Sequence, residues 1–448
     1  MRWLTAPVLA FSLPLSLSLS AQPASQGVKS PALAPLEALY PDLDKFYIDL
    51  HQTPELSLHE EKTSAKLAAR LRDLGFEVTE HVGGYGIVGV LRNGPGRTVL
   101  VRTDMDALPI KEATGLPYAS TVTTKNDAGD TVPVMHACGH DIHMTSWIGA
   151  ATLLARARNR WTGTLVFVGQ PAEEVLQGAE MMVKEGVLTR FPKPDFVLGI
   201  HDTNFLPSGQ IGIVAGPASA ASNAVDITFH GKGGHGAAPH RTVDPVVMAA
   251  RAVVTLQTIV SREVNPFDPA VVTVGTFHAG TKRNIIPDEA KLELTVRSYK
   301  PEVQKQLLAA IERIAKAEAA AARAPREPTV FVDPKEASEV VFNDPALTAR
   351  LASSLRRSLG DANVLPIDPT TASEDFGIFG RVAGVPSVQL RVGASEPAEF
   401  AKAKAEGKFL PGPHNSAFAP DRERTIRTGV AAFTLSVLDL LAPPTGKL

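Results

Sequence analysis

Cysteine is almost missing from this chain: there is one, Cys138, in 448 residues. An intramolecular disulfide is therefore excluded. An excess of either charge is missing too. The formal net charge is -2, from 45 basic and 47 acidic side chains. That gives no electrostatic reason to expect a nucleic acid or an anionic membrane as partner. Glycine and proline, 35 of each, are scattered, so no segment reads as collagenous or low-complexity. What remains is an ordinary soluble composition, 44% hydrophobic and 21% charged, with length enough for two or three domains.

The N-terminal apolar run, residues 4–19, is too short and too interrupted by Pro7 and Pro14 to span a membrane as a helix. Arg2 before it and the small residues Ser18, Ser20, Ala21 and Ala24 after it make residues 1–24 a secretory signal peptide. The mature protein is then periplasmic or secreted. A lone cysteine in an oxidising compartment is a liability unless something protects it, and metal ligation is one such protection.

That cysteine lies in the densest stretch of the chain, Met135-His136-Ala137-Cys138-Gly139-His140-Asp141-Ile142-His143, which also holds three of the twelve histidines. Helical spacing resumes straight afterwards. A thiolate and imidazoles at the mouth of a helix suit a divalent metal. Around it, helices predicted over 36–50, 60–74 and 141–157 alternate with short apolar strands at 87–91, 98–102, 163–168 and 196–200, the pattern of an α/β layered sheet. From about residue 218 the order becomes β-α-β-β-α, which reads as a ferredoxin-like α+β insert. The predicted organisation is a discontinuous catalytic domain, 35–217 and 328–448, with a lid or dimerisation domain at 218–327.

Polar residues collect just past the strand ends, where open α/β sheets carry their sites. Asp104, Asp106, Glu173, Glu174 and His201 all sit there. A lone Glu-Glu is often only a solvated acidic turn. Here successive residues point in different directions, so one carboxylate can bind metal while its neighbour takes a proton from water.

The motifs Asp-Met-Asp-Ala-Leu-Pro (104–109), Met-His-Ala-Cys-Gly-His-Asp (135–141), Gln-Pro-Ala-Glu-Glu (170–174) and Gly-Ile-His (199–201) occur in that order. Gly-Gly-His (233–235), Asn-Ile-Ile-Pro (284–287), Glu-Asp-Phe (374–376) and His-Asn (414–415) follow. Together they resemble the metal-dependent amidohydrolases related to indole-acetyl-amino-acid hydrolase, hippurate hydrolase, aminoacylase and carboxypeptidase G. The resemblance implies a zinc-peptidase-like catalytic domain and two divalent metal ions, with zinc, manganese, cobalt and nickel all compatible. It makes Cys138 a bridging ligand, with His140, Glu174, His201 and His414 completing the set. Glu173 becomes the general base and Asp104 and Asp106 orient ligands. On the lid, His235 would stabilise the oxyanion, while Asn284 and Arg297 would bind the substrate carboxylate. His136 and His143 are not ligands in that pattern. The implied reaction is hydrolysis of a small N-acyl or N-aroyl amino acid. A metallo-exopeptidase is the nearest alternative and a non-catalytic binding protein a more distant one. An edge strand on the lid would make a homodimer natural. The chain departs from the pattern at 121–134, after His201, and at 396–408.

Overall fold

The computed structural model describes residues 30–442; the predicted signal peptide lies outside the described residues. An eight-stranded mixed sheet runs Glu77–Thr79, Ile87–Asn93, Gly163–Gln170, Thr98–Asp104, Phe196–Pro207, Ser387–Ser395, Ile211–Ile213 and Val364–Pro366 in spatial order. The four strands in the middle, from Gly163–Gln170 to Ser387–Ser395, are mutually parallel. Their carboxyl ends therefore open at one edge. Both faces are covered, as parallel strands require. Val99, Val101, Leu198, Ile200, Leu390 and Val392 pack under helices Leu36–Gln52, His140–Arg156, Pro345–Leu359 and Arg422–Leu441. The alternate residues Leu100, Val166, Val168 and Val197 pack under Gly178–Lys184 and Gly377–Ala383. Helix His140–Arg156 is buried on nearly every side, so it lies inside the helical layer rather than on its surface. Among the described residues no helix is long and apolar enough to cross a membrane.

The second unit is a four-stranded antiparallel sheet ordered Ala270–Ala279, Glu289–Ser298, Ala221–His230, Thr329–Ser338. Helices Pro245–Thr258 and Pro301–Ala321 cover one face through Val225, Ile227, Phe229, Leu292 and Leu294. In chain order this is β-α-β-β-α-β, the full ferredoxin-like arrangement. A domain boundary at 327 is thus too early, because the sheet takes in Thr329–Ser338 as well. That strand escapes a pattern reading because it is a mostly exposed edge carrying Pro334. The proline is accommodated where the register against Asn223 and Ala224 shifts, the kind of place an edge strand tolerates one. Two of the three departures from the family pattern form regular elements. Residues 121–134 contain a hairpin, Thr123–Lys125 with Thr131–Pro133, and the segment before His414 forms helix Pro397–Ala405.

Two buried ionic contacts hold the layers to the site edge. Arg102, fully buried on the central strand, donates to Asp104 (2.7 Å), Glu374 (2.9 Å), Asp375 (3.3 Å) and Gln170 (2.8 Å). This explains the Glu-Asp-Phe motif: its acids answer a guanidinium at the opposite end of the chain. Burial would raise Glu374, but Arg102 overrides it and holds the acid at about 2; Asp375 is pushed by burial up to about 7. His51, buried in the first helix, lies 2.6 Å from Asp141 and 3.2 Å from Glu112. Burial alone would lower its pKa; hydrogen bonds to the two acids instead raise it to about 10.

Removing one member of a buried ion network strands its partners. Arg102→Met is expected to cost about 3–5 kcal/mol, read as a lowered urea midpoint. His51 has a folded pKa above its unfolded value of 6.5, so its stabilisation is complete below pH 6.5 and disappears as pH rises through about 10. Urea midpoints of chelator-treated protein should fall across that window, and fall less steeply in His51→Phe.

Candidate metal centre

Five segments converge on the open edge of the large sheet. The chain leaving Thr98–Asp104 brings Asp104 and Asp106, and the turn after Gly163–Gln170 brings Glu173 and Glu174. Helix His140–Arg156 presents His140 on its first turn, and strand Phe196–Pro207 carries His201. His414 arrives from the far end of the chain, where its backbone N–H donates to the Ala137 carbonyl at 2.7 Å. The glutamate turn is held from outside by Glu60, whose Oε1 accepts from the N–H groups of Leu58 (3.0 Å) and Ala172 (2.7 Å). Gly139, at φ 76, caps the helix, and a Cβ there would run into the Asp202 carboxylate. Only glycine fits that corner.

The hydrogen bonds sort the histidines by what they leave free. His140 Nδ1 donates to the Asp106 carbonyl (2.8 Å) and His201 Nδ1 to the Asp202 carbonyl (2.7 Å). A carbonyl only accepts, so each ring carries a proton on Nδ1 and turns Nε2 inward as the nitrogen left for a cation. His140 Nε2 is buried without a hydrogen-bond partner, and His201 Nε2 is 3.6 Å from Cys138 Sγ. His143 is different. Its Nδ1 donates to Asp104 (2.7 Å), and its Nε2 accepts the Asp202 N–H (2.9 Å). Both nitrogens are spent, so it is not available as a ligand. His136 is buried, and burial lowers its pKa to about 4.

Cys138, His140 and His201 have donor atoms within 4.8 Å of one another, and so do Cys138, Glu174 and His414. The sulfur belongs to both triplets. Glu174 Oε2 is 3.2 Å from His414 Nε2, while its Oε1 is buried without a partner. Its backbone N–H donates to Asp106 (2.9 Å), which also accepts from Ser57 (2.6 Å). Glu173, 3.6 Å from His140 Nε2, is buried beside this set. Burial, then Glu374 and Glu174, push its pKa well above the ordinary carboxylate value. The Cys138 thiol is likewise pushed up by burial and by Glu174, Glu173, Asp202 and Asp104. A soft thiolate, two imidazole nitrogens aimed inward and an unpartnered carboxylate oxygen are a donor set that fits divalent cations. Cations would also relieve the crowding of acids.

The lid residues stand apart from this cluster. His235 and Asn284 lie on one exposed two-stranded ribbon, where Gly236 N–H donates to the Asn284 carbonyl (2.9 Å). Arg297 is half-buried, and its guanidinium donates to Ser373 Oγ (2.6 Å), next to Glu374 of the large unit. This contact ties it to the large unit. Two exposed phenylalanines, Phe205 (65%) and Phe409 (88%), border the ligand segments, which are joined by Asn204 donating to the Leu410 carbonyl (2.8 Å). His143, Arg102, Glu60 and Asp202 support the site without standing out in the sequence. The available signal for His143 is its position three residues after His140, on the same helical face.

Residues 100–409 match the model of the peptidase family M20/M25/M40. The chain is 35% identical over 390 residues to thermostable carboxypeptidase 2 of Saccharolobus solfataricus, covering 86% of this chain and 92% of that one. It is 36% identical over 340 residues to the hippurate hydrolase of Campylobacter jejuni, covering 75% and 85%. A solved structure of a dinuclear metal-binding M20 peptidase from Bacillus subtilis superposes with a TM-score of 0.71 at 28% identity, over 90% of this chain and 98% of that one. With a large mixed sheet, a ferredoxin-like second unit and a cysteine-centred donor cluster, the chain belongs to the peptidase family M20/M25/M40 and is a hydrolase of amide bonds.

Proposed function

We propose that the protein hydrolyses N-acyl or N-aroyl amino acids to a carboxylic acid and a free amino acid. It would do so with two divalent cations held by Cys138, His140, Glu174, His201 and His414. The observation that carries this reading is that one sulfur is shared by two donor triplets, with a further buried acid, Glu173, alongside. Such cations, when bound, supply Lewis acidity towards the scissile carbonyl and ease the deprotonation of water. Glu173 accepts a proton from the attacking water and returns it to the leaving amine. Its place beside the donor cluster, 3.6 Å from His140 Nε2, suits both halves of that task. Asp106 holds His140 and Glu174 in orientation, and Asp104 anchors His143 behind them.

Arg297 takes the α-carboxylate of the substrate with its planar fork. Asn284 assists, and His235 donates to the carbonyl oxygen as it becomes an oxyanion. Both of these are exposed on their ribbon, and the reading assigns them to the site of a second copy. The outer edge of Ala270–Ala279 supports such a pairing, since it has no partner strand among the described residues. The exposed pair Phe205 and Phe409 supports an apolar or aryl acyl group. The proposal includes export, which rests on the sequence of residues 1–24.

A metallo-exopeptidase is the second reading, favoured by the carboxypeptidase among the relatives. Release rates from an N-acyl amino acid and the matching dipeptide decide between them, because a free α-amine needs an acidic partner. Glu173→Gln should retain its metal content and lose at least ~10²-fold in turnover, the scale of a positioned acid–base. Near-normal turnover would remove Glu173 from its role. Cys138→Ala should bind fewer cations per chain by elemental analysis; undiminished stoichiometry would end the shared-ligand assignment.

A further inference from the structure

Two arginines are buried among the described residues, Arg102 and Arg391, and they are treated very differently. Arg102 is met by three carboxylates and an amide oxygen. Arg391 has one hydrogen-bond partner among the described residues, Ser219 Oγ at 2.7 Å, and no carboxylate at ion-pair distance. Its charge reaches Glu374, Cys138, Asp202 and Glu173 only through space. Glu374 is already committed, to Arg102 at 2.9 Å and to Gln389 at 2.7 Å. A guanidinium does not escape its charge by losing a proton. Left buried and unpaired, it is costly unless an anion arrives.

The position of Arg391 says where that anion would come from. It is the register partner of His201 on the adjacent parallel strand, so both side chains leave the sheet on the same face. Their neighbours Ile200, Leu390 and Val392 turn to the opposite, helix-covered face. The Ser219 that Arg391 holds lies where the chain passes from the large sheet towards the lid. The next residue, Ala220, donates its N–H to the carbonyls of Thr370 and Ala372, both at 3.1 Å. Ser373, one residue further, is the partner of Arg297. The two arginines therefore flank a single loop, one from the floor beside the metal cluster and one from the lid.

We infer that Arg391 and Ser219 form an anion subsite in the substrate cleft, which receives a second carboxylate of the substrate besides the one taken by Arg297. This rests on the proposed hydrolysis of N-acyl amino acids and narrows it to doubly anionic members of that class. The second carboxylate has two possible sources: the side chain of an acidic leaving amino acid, or a dicarboxylic acyl group. The proximity to the Arg297 loop favours the first.

The test compares N-acetyl-L-methionine, N-acetyl-L-glutamate and N-succinyl-L-methionine on the metal-loaded enzyme and on Arg391→Met and Arg391→Lys. The wild type should favour one of the dicarboxylic substrates in KM by ~10-fold or more over N-acetyl-L-methionine, the scale of a charge-assisted contact. Which one identifies the source. That ratio should collapse towards one in Arg391→Met and partly return in Arg391→Lys. A wild type without the preference, or a variant that raises KM equally for all three, overturns the subsite while leaving N-acyl amino acid hydrolysis intact. If none of the three is hydrolysed, the proposed reaction fails instead, and calorimetry on wild-type protein decides the subsite separately. Glutarate should bind at least ~10-fold more tightly than butyrate, and equal affinities overturn the inference.

Discussion

Burial and negative charge oppose the ionisation of Cys138 from several sides at once. The thiol is enclosed, and Glu173, Glu174, Asp202 and Asp104 all raise its pKa. Glu173 is itself pushed towards its neutral form, by burial and then by Glu374 and Glu174. The side-chain cations nearby relieve this only in part. Arg102 is one layer behind and is spent on Asp104, Glu374 and Asp375. Arg391 points along the sheet to Ser219. A cluster of this kind is tolerable in two forms only, protonated or loaded with cations. Everything else about the site can be understood as making the second form easy to reach.

The histidine tautomers show how that is arranged. His140 and His201 are each fixed by a backbone carbonyl, so no ring needs to turn for its Nε2 to face the cluster. The carbonyls belong to Asp106 and Asp202, residues whose side chains lie in the same site. Asp106, just past a strand end, and Asp202, inside strand Phe196–Pro207, thus contribute twice, once with a carboxylate and once with the backbone that orients a ring. His143 completes the frame by linking Asp104 to the Asp202 N–H. Arg102, Asp104, His143 and Asp202 therefore form one continuous buried chain behind the ligands. Its rigidity is what lets residues from five segments meet within a few ångströms.

Features that declare themselves in sequence are local ones. A cysteine among three histidines, a pair of glutamates after an apolar strand and an acid doublet at 104 and 106 concentrate chemistry within a few residues. The alternation of helices and strands was legible for the same reason, since periodicity is a short-range signal. What escaped depends on distance. Arg102 reads as an ordinary strand arginine until Glu374, 272 residues away, is placed against it. Arg391 becomes unusual only when it is seen to lack such a partner. His51, which belongs to none of the sequence motifs, ties the first helix to Asp141 and Glu112. The strand Thr329–Ser338 was hidden by its exposed face and its proline, because an edge strand is defined by the neighbour it pairs with rather than by its own pattern.

The attachment of the second unit bears on how substrate is read. The chain passes between the units at Gly216–Ser219, which pairs with Val341–Asn343. Asn343 is fully buried there, donating to the carbonyls of Val214 (2.8 Å) and Gln389 (3.0 Å) and accepting the Gln389 N–H (2.8 Å). Gln389 lies two residues before Arg391 on the strand beside His201. The junction is therefore stitched to the same strand that carries the unpaired guanidinium, and Ser219 belongs to both. Arg297 approaches from the second unit onto Ser373, within the loop that Ala220 also contacts. Arg297 and Arg391 are thus fastened to one junction, while the cysteine-centred donor cluster lies at the open edge of the large sheet. A substrate long enough to touch both would be positioned by two frames that share a single strand.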